Sequence, residues 1–112
     1  MVRYSLPSEE GDETLEFEWD HAKAQENRQK HGLTFEEAAT IFRDEVLTIE
    51  DDSAYGERRE ISFGILGRPP DAQVVVCVVH TDRRGRTRII SARKATPLER
   101  RRFDVHYRKT YH

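Results

Sequence analysis

The sequence predicts an α+β fold: a short N-terminal strand, two helices, a four-stranded antiparallel meander and a C-terminal helix. Three observations carry this expectation. Residues 15–19 alternate apolar and acidic side chains, two helix-capping signatures follow back to back, and four strand-like runs after them are joined by short turn-forming connections.

Residues 1–13, MVRYSLPSEEGDE, mix a proline, a glycine and four acids with little helical or strand character. Residues 1–14 are therefore expected as a flexible acidic arm outside a single domain of residues 15–112. Leu15, Phe17 and Trp19 alternate with Glu16 and Glu18, the pattern of a half-buried strand. Asp20 offers an N-cap to a helix over residues 20–31 that stops at Gly32, with Lys30 and His31 in the last turn, where cations are favoured. Thr34 and Glu37 have the spacing of a capping box, opening a second helix that turns Phe35, Ala38, Ala39, Ile41 and Phe42 toward the core.

Residues 46–50, 60–67, 73–81 and 87–95 read as strands. Their connections carry Asp51, Asp52 and Ser53, then Arg68, Pro69, Pro70 and Asp71, then Arg83, Arg84 and Gly85, and such short links imply antiparallel neighbours. Thr96, Pro97 and Glu99 are the N-cap, first-turn proline and N3 acid of a closing helix.

At 112 residues the chain is expected to bury about 65% of its unfolded surface around one modest core. Apolar and charged residues each make up 36%, so that core is thin. No apolar run approaches membrane-spanning length, and the N-terminus lacks the order of a signal peptide, which leads to a cytoplasmic expectation with no membrane partner. Cys77 lies in the apolar run 74–79 and reads as a reduced core residue. The histidines at 21, 31, 80, 106 and 112 show no ligand pairing with one another or with Cys77, so neither metal nor cofactor is expected.

Charge is distributed very unevenly. Residues 80–112 hold eleven Lys and Arg against three acids, whereas the first 79 residues carry a net charge of −10, within a whole-chain net of −2. One end of the molecule should attract phosphate and the other repel it.

The segments FEWDHAKAQENRQKHGLTFEEA (residues 17–38), Arg59 with Gly64 around a strand, and RIISARKATPLERRRF (residues 88–103) together resemble the BrnT family of type II toxins over most of the chain. The resemblance implies a RelE-like fold and a metal-independent endoribonuclease that cleaves RNA, inhibits translation and arrests growth. It also implies a cognate BrnA-like, DNA-binding antitoxin in a hetero-oligomer, expected as a heterotetramer, that represses its own operon. Operator DNA would then be reached only through the antitoxin.

Metal-free RNA cleavage needs a base for the 2′-hydroxyl, cations for the charge on the scissile phosphate and an acid for the leaving oxygen. Arginine suits the second role because its planar fork grips phosphate bidentately. Arg86, Arg88 and Arg93 are the leading candidates, Arg93 first because it stands in the family-like SAR motif, with a structural pairing to Glu99 as the alternative. Lys23, Asn27 and His31, four residues apart, form one helical stripe at positions matching the family's K-x-x-x-N-x-x-K-H-G pattern. His31 and Lys23 then supply base, acid or phosphate contact; alternatively His31 only bonds carbonyls at the helix end while Asn27 ties the helix to the sheet.

Arg59 matches the family's strand arginine, followed here by Glu60 where an aromatic residue is frequent. Phe103 stands where tyrosine is frequent, and Tyr107, one turn later, either substitutes for it or packs in the core. The catalytic set is thus Arg93, His31, Lys23, Arg88 and Arg59, and the RNA-binding set is Arg83, Arg86, Lys94, Arg101 and Tyr107. Arg100 to Arg102 suit antitoxin contact as well as RNA. Glu60 and Phe103 favour the rival expectation of a catalytically silent subunit that stabilises the antitoxin and acts as co-repressor.

Overall fold

A computed structural model describes residues 1–8, 11, 13–51, 58–67 and 73–111. Among the described residues, six strands form one sheet in the order β1-β2-β6-β5-β4-β3: β1 (Val2–Pro7), β2 (Thr14–Trp19), β3 (Leu47–Asp51), β4 (Arg59–Leu66), β5 (Val74–Arg83) and β6 (Arg86–Lys94). The described residues also form α1 (His21–His31), α2 (Phe35–Ala39), which runs into a 3-10 turn at Thr40–Arg43, and α3 (Pro97–Tyr111).

This overturns the expected four-stranded antiparallel meander. Strands β3 to β6 do pair antiparallel in succession, but β6 is no edge: β2 joins it in parallel, with Phe17 opposite Thr87 and Glu18 opposite Arg88. The sheet is therefore mixed. The physical reason is burial: the apolar side of β2, Phe17 and Trp19, is almost wholly covered only when it continues the apolar side of β6, where Ile89 and Ala92 lie.

The segment expected as an arm supplies the sixth strand. Val2, Tyr4 and Leu6 point to one side of β1, Leu6 is buried, and the Tyr4 ring meets Trp19 at 5.5 Å. Glu9, Glu10 and Asp12 of the acidic arm, the turn residues Asp52, Ser53, Arg68, Pro69, Pro70 and Asp71, and His112 lie outside the described residues.

Side chains alternate between two faces of the sheet. The first face carries Phe17, Trp19, Val76, Val78, Ile89 and Ala92, covered by α1, α2 and the 3-10 turn through Ala24, Phe35, Ala38, Ala39 and Ile41. The second carries Phe63, Val75 and Cys77, covered by Phe103 of α3. Ile89 and Ala92 are three residues apart and still share a face because the β5–β6 register shifts between Val79 and His80, inserting one extra residue into β6.

The caps form as their residues dictate. Asp20 accepts from the Lys23 amide at 3.0 Å, Thr34 and Glu37 make a reciprocal capping box, and Gly32 ends α1 in the left-handed region at φ 72°. Among the described residues no helix is long and apolar enough to cross a membrane.

Candidate functional site

Strand pairing lines up charged residues on the second face, on the part of it that the Phe103 cluster does not include. Arg3 lies opposite Glu18, Glu18 opposite Arg88, and Arg88 opposite Thr81; Arg59, one residue before the Glu60–His80 pair, continues the line onto β4. Neighbours in this line stand about 4.8 Å apart, the strand spacing. A second line, one side-chain repeat nearer the β5–β6 hairpin, holds Arg83 opposite Arg86, followed by Glu16 opposite Ser5.

The hairpin itself is a two-residue turn in which Arg84 (φ 52°) and Gly85 (φ 82°) are both left-handed. It closes a cleft of about 310 Å³ lined by Met1, Arg3, Glu18, Arg83, Arg84, Arg86 and Arg88.

Two glutamates organise this cationic surface. Glu18 is buried, and Arg88 donates to its Oε2 from Nε at 2.8 Å and from a terminal nitrogen at 2.5 Å, leaving Oε1 without a hydrogen bond among the described residues. The Arg88 hydrogen bond holds the Glu18 carboxyl below its ordinary range, with burial opposing and the charges of Arg88, Arg3 and Arg86 assisting. Glu16 is likewise lowered, first by the hydroxyls of Ser5 and Thr14 at 2.6 and 2.9 Å. By contrast Arg3, Arg84 and Arg86 donate no side-chain hydrogen bond to any described residue. Arg59 is half-buried, and its buried Nε finds no partner among the described residues.

The structure thus brings together four of the residues singled out from the sequence: Arg59, Arg83, Arg86 and Arg88. Arg93 shares their face but pairs with Cys77, four residues from Thr81 along β5 and so roughly 13 Å further along the sheet. There its guanidinium binds both oxygens of Glu99, at 2.8 and 3.1 Å, and Glu99 also caps α3 by accepting from the Thr96 amide at 2.8 Å. Lys94 follows it, exposed.

Lys23 and His31 do not meet the arginines. Both belong to α1, which packs on the first face, so the sheet lies between them and Arg88. Asn27 is the residue of that stripe that touches the sheet. Its side chain is buried, donates to the carbonyls of Ala92 at 2.9 Å and Leu33 at 3.1 Å, and accepts from the Ala92 amide at 3.0 Å. Arg101 and Tyr107 are on α3, Arg101 exposed and Tyr107 with its ring 5.8 Å from that of the buried Phe103.

Sequence reasoning did not single out Arg3, Arg84 or Glu18. The signal for Arg3 was available: Val2, Tyr4 and Leu6 alternate with Arg3 and Ser5 as strand residues do.

A family model, described as the ribonuclease toxin BrnT of a type II toxin-antitoxin system, matches residues 19–99. The chain belongs to the BrnT family. It is thus a ribonuclease toxin of the type II class, for which an antitoxin is the partner. The BrnT match contains Arg59, Arg83, Arg84, Arg86, Arg88 and Arg93, and leaves β1 and nearly all of β2 outside it. No curated protein matches the chain.

Proposed function

We propose that the chain is a metal-independent endoribonuclease whose RNA lies across the open part of the second sheet face. The observation that carries this reading is the convergence of Arg59, Arg83, Arg86 and Arg88 on that face. Arg88, held by Glu18, and Arg86 beside it face the scissile phosphate, while Arg59 and Arg83 hold the backbone on either side. The charge that a metal ion supplies elsewhere comes here from guanidinium groups.

The step is an internal transfer. The 2′-oxygen bonds to the adjacent phosphorus as the bond from phosphorus to the 5′-oxygen breaks, giving a 2′,3′-cyclic phosphate and a 5′-hydroxyl. Glu18 Oε1 takes the proton of the 2′-hydroxyl, and the departing 5′-oxygen gains one from solvent. DNA lacks the attacking hydroxyl and is left intact. In this reading Lys23 and His31 stand outside the chemistry, and Arg93 acts on α3 through Glu99. Cleaved transcripts halt translation and growth. A BrnA-like antitoxin, in a heterotetramer, covers the arginine face and carries the toxin to operator DNA, where the complex represses its own synthesis.

Cleavage of single-stranded RNA in EDTA tests this. Wild type should cut; Arg88→Ala should fall by about 10²–10³-fold. Arg86→Ala, which removes no side-chain hydrogen bond to a described residue, should fall as well, and Arg93→Ala should retain turnover. Undiminished cutting by Arg86→Ala and Arg88→Ala rules out this site. Activity that appears only on adding a divalent cation rules out metal independence.

A further inference from the structure

We propose that β1 completes a phosphate-binding subsite at the hairpin end of the sheet, in which Arg3 and Arg84, next to the Arg86 of the cleavage position, grip the adjoining phosphate of the RNA backbone. The inference rests on RNA being the substrate, and it adds a part of the molecule that the family match does not reach, since the match begins at residue 19.

The cleft is lined from three places in the sequence: Arg83, Arg84, Arg86 and Arg88 from the β5–β6 hairpin and its strands, Glu18 from β2, and Arg3 of the edge strand with Met1 before it. The carboxylate that lines it, Glu18, is held by Arg88 through Oε2, and Glu16 beside it on β2 is held by the hydroxyls of Ser5 and Thr14. Arg3, Arg84 and Arg86 are the guanidiniums left with no described hydrogen-bond acceptor, and all three line the same recess. Each carries a planar fork, the group that suits phosphate oxygens.

Arg84 adds a second sign. It occupies a left-handed turn position at φ 52°, where asparagine or glycine is the unstrained choice. A chain that accepts this strain gains a cation at the mouth of the cleft. Arg3 matters for a different reason: it is one strand beyond Glu18 in the line that leads back to Arg88, so the phosphate it holds belongs to the same RNA strand as the scissile one. An acidic protein segment is the rival occupant. The recess favours phosphate, because Arg3, Arg84 and Arg86 bring planar forks to it and the line continues into the proposed cleavage site.

The test uses the whole chain and a single-stranded RNA of 2′-O-methyl nucleotides, which binds without being cut, with affinity measured from 50 to 300 mM salt. Removing one phosphate contact should reduce the slope of log affinity against log salt by about 0.7. Arg3→Ala and Arg3→Gln should both show that loss and bind about three- to tenfold more weakly at low salt, while Arg3→Lys keeps the slope. Arg3 is exposed on an edge strand, so thermal melts of all three variants should match wild type. An unchanged slope in Arg3→Ala overturns the subsite while leaving the RNA reading intact, as does weaker antitoxin binding with RNA binding untouched. Absence of salt-dependent RNA binding in wild type overturns both.

Discussion

Two arginines of one strand are held by carboxylates, and the manner of holding separates their roles. Arg93 has both oxygens of Glu99, and Glu99 is at the same time the N3 residue that caps α3, so the pair ties β6 to the helix that covers Cys77. The Arg93 hydrogen bonds, helped by Thr96 and opposed by burial, lower the Glu99 carboxyl to about 2. A depressed carboxyl stabilises the folded state above its ordinary titration range and loses that contribution as pH falls toward the folded value. Between pH 5 and 2, denaturant unfolding should therefore show wild type losing about 1–2 kcal/mol more than Glu99→Gln, a figure reduced for the partial exposure of the pair. Parallel pH profiles for the two proteins would exclude this tie. The alternative role for Arg93 was legible in the sequence because Glu99 is six residues away. Glu18 was not legible as the partner of Arg88, because seventy residues separate them and only the β2–β6 pairing brings them together.

At the scale of elements, local signals were dependable and non-local ones absent. Asp20, Gly32, Thr34 and Glu37 set helix ends through contacts within a few residues, and the four later strands followed from period and turn chemistry. Parallel pairing has no such local mark: nothing within β2 or β6 states that they are neighbours. Strand β1 was hidden by its setting, since Val2, Tyr4 and Leu6 precede an acidic segment whose composition dominated the reading. The extra residue in β6 was equally silent, yet it is what puts both Arg88 and Arg93 on the second face. Gly64 shows how tightly β4 meets the first-face helices. A Cβ there would stand 2.8 Å from Cβ of Ile41 and 3.2 Å from a Val46 methyl. Gly64→Ala should destabilise the fold by about 1–3 kcal/mol through overpacking. A thermal melt checks this, and a variant that melts with wild type would show that the 3-10 turn yields freely.

The whole molecule is an electrical dipole built on a mixed sheet. Its net charge of −2 hides a C-terminal third with eleven Lys and Arg against three acids, and the fold gathers part of that charge at the hairpin end, where Arg3 joins it from the opposite end of the chain. Attraction between this end and a polyanion is long-ranged, reaching about 10 Å at 0.1 M salt, and weakens as salt is added. An antitoxin that silences the toxin by covering the same face must answer it with acidic side chains. Under the proposed function RNA and antitoxin compete for one set of arginines. Saturating antitoxin should displace bound 2′-O-methyl RNA completely, and toxin–antitoxin association should slow as ionic strength rises, because steering by rim charges acts on the on-rate. A stable ternary complex of toxin, antitoxin and RNA would place the antitoxin elsewhere, with the outer surface of α3, where Arg101 and Arg102 flank the exposed Leu98 and Val105, as the surface to examine next. Charge reversal separates the two arrangements at the level of residues. Arg86→Glu should weaken RNA and antitoxin binding together if they share the cleft, and RNA binding alone if the antitoxin sits on α3.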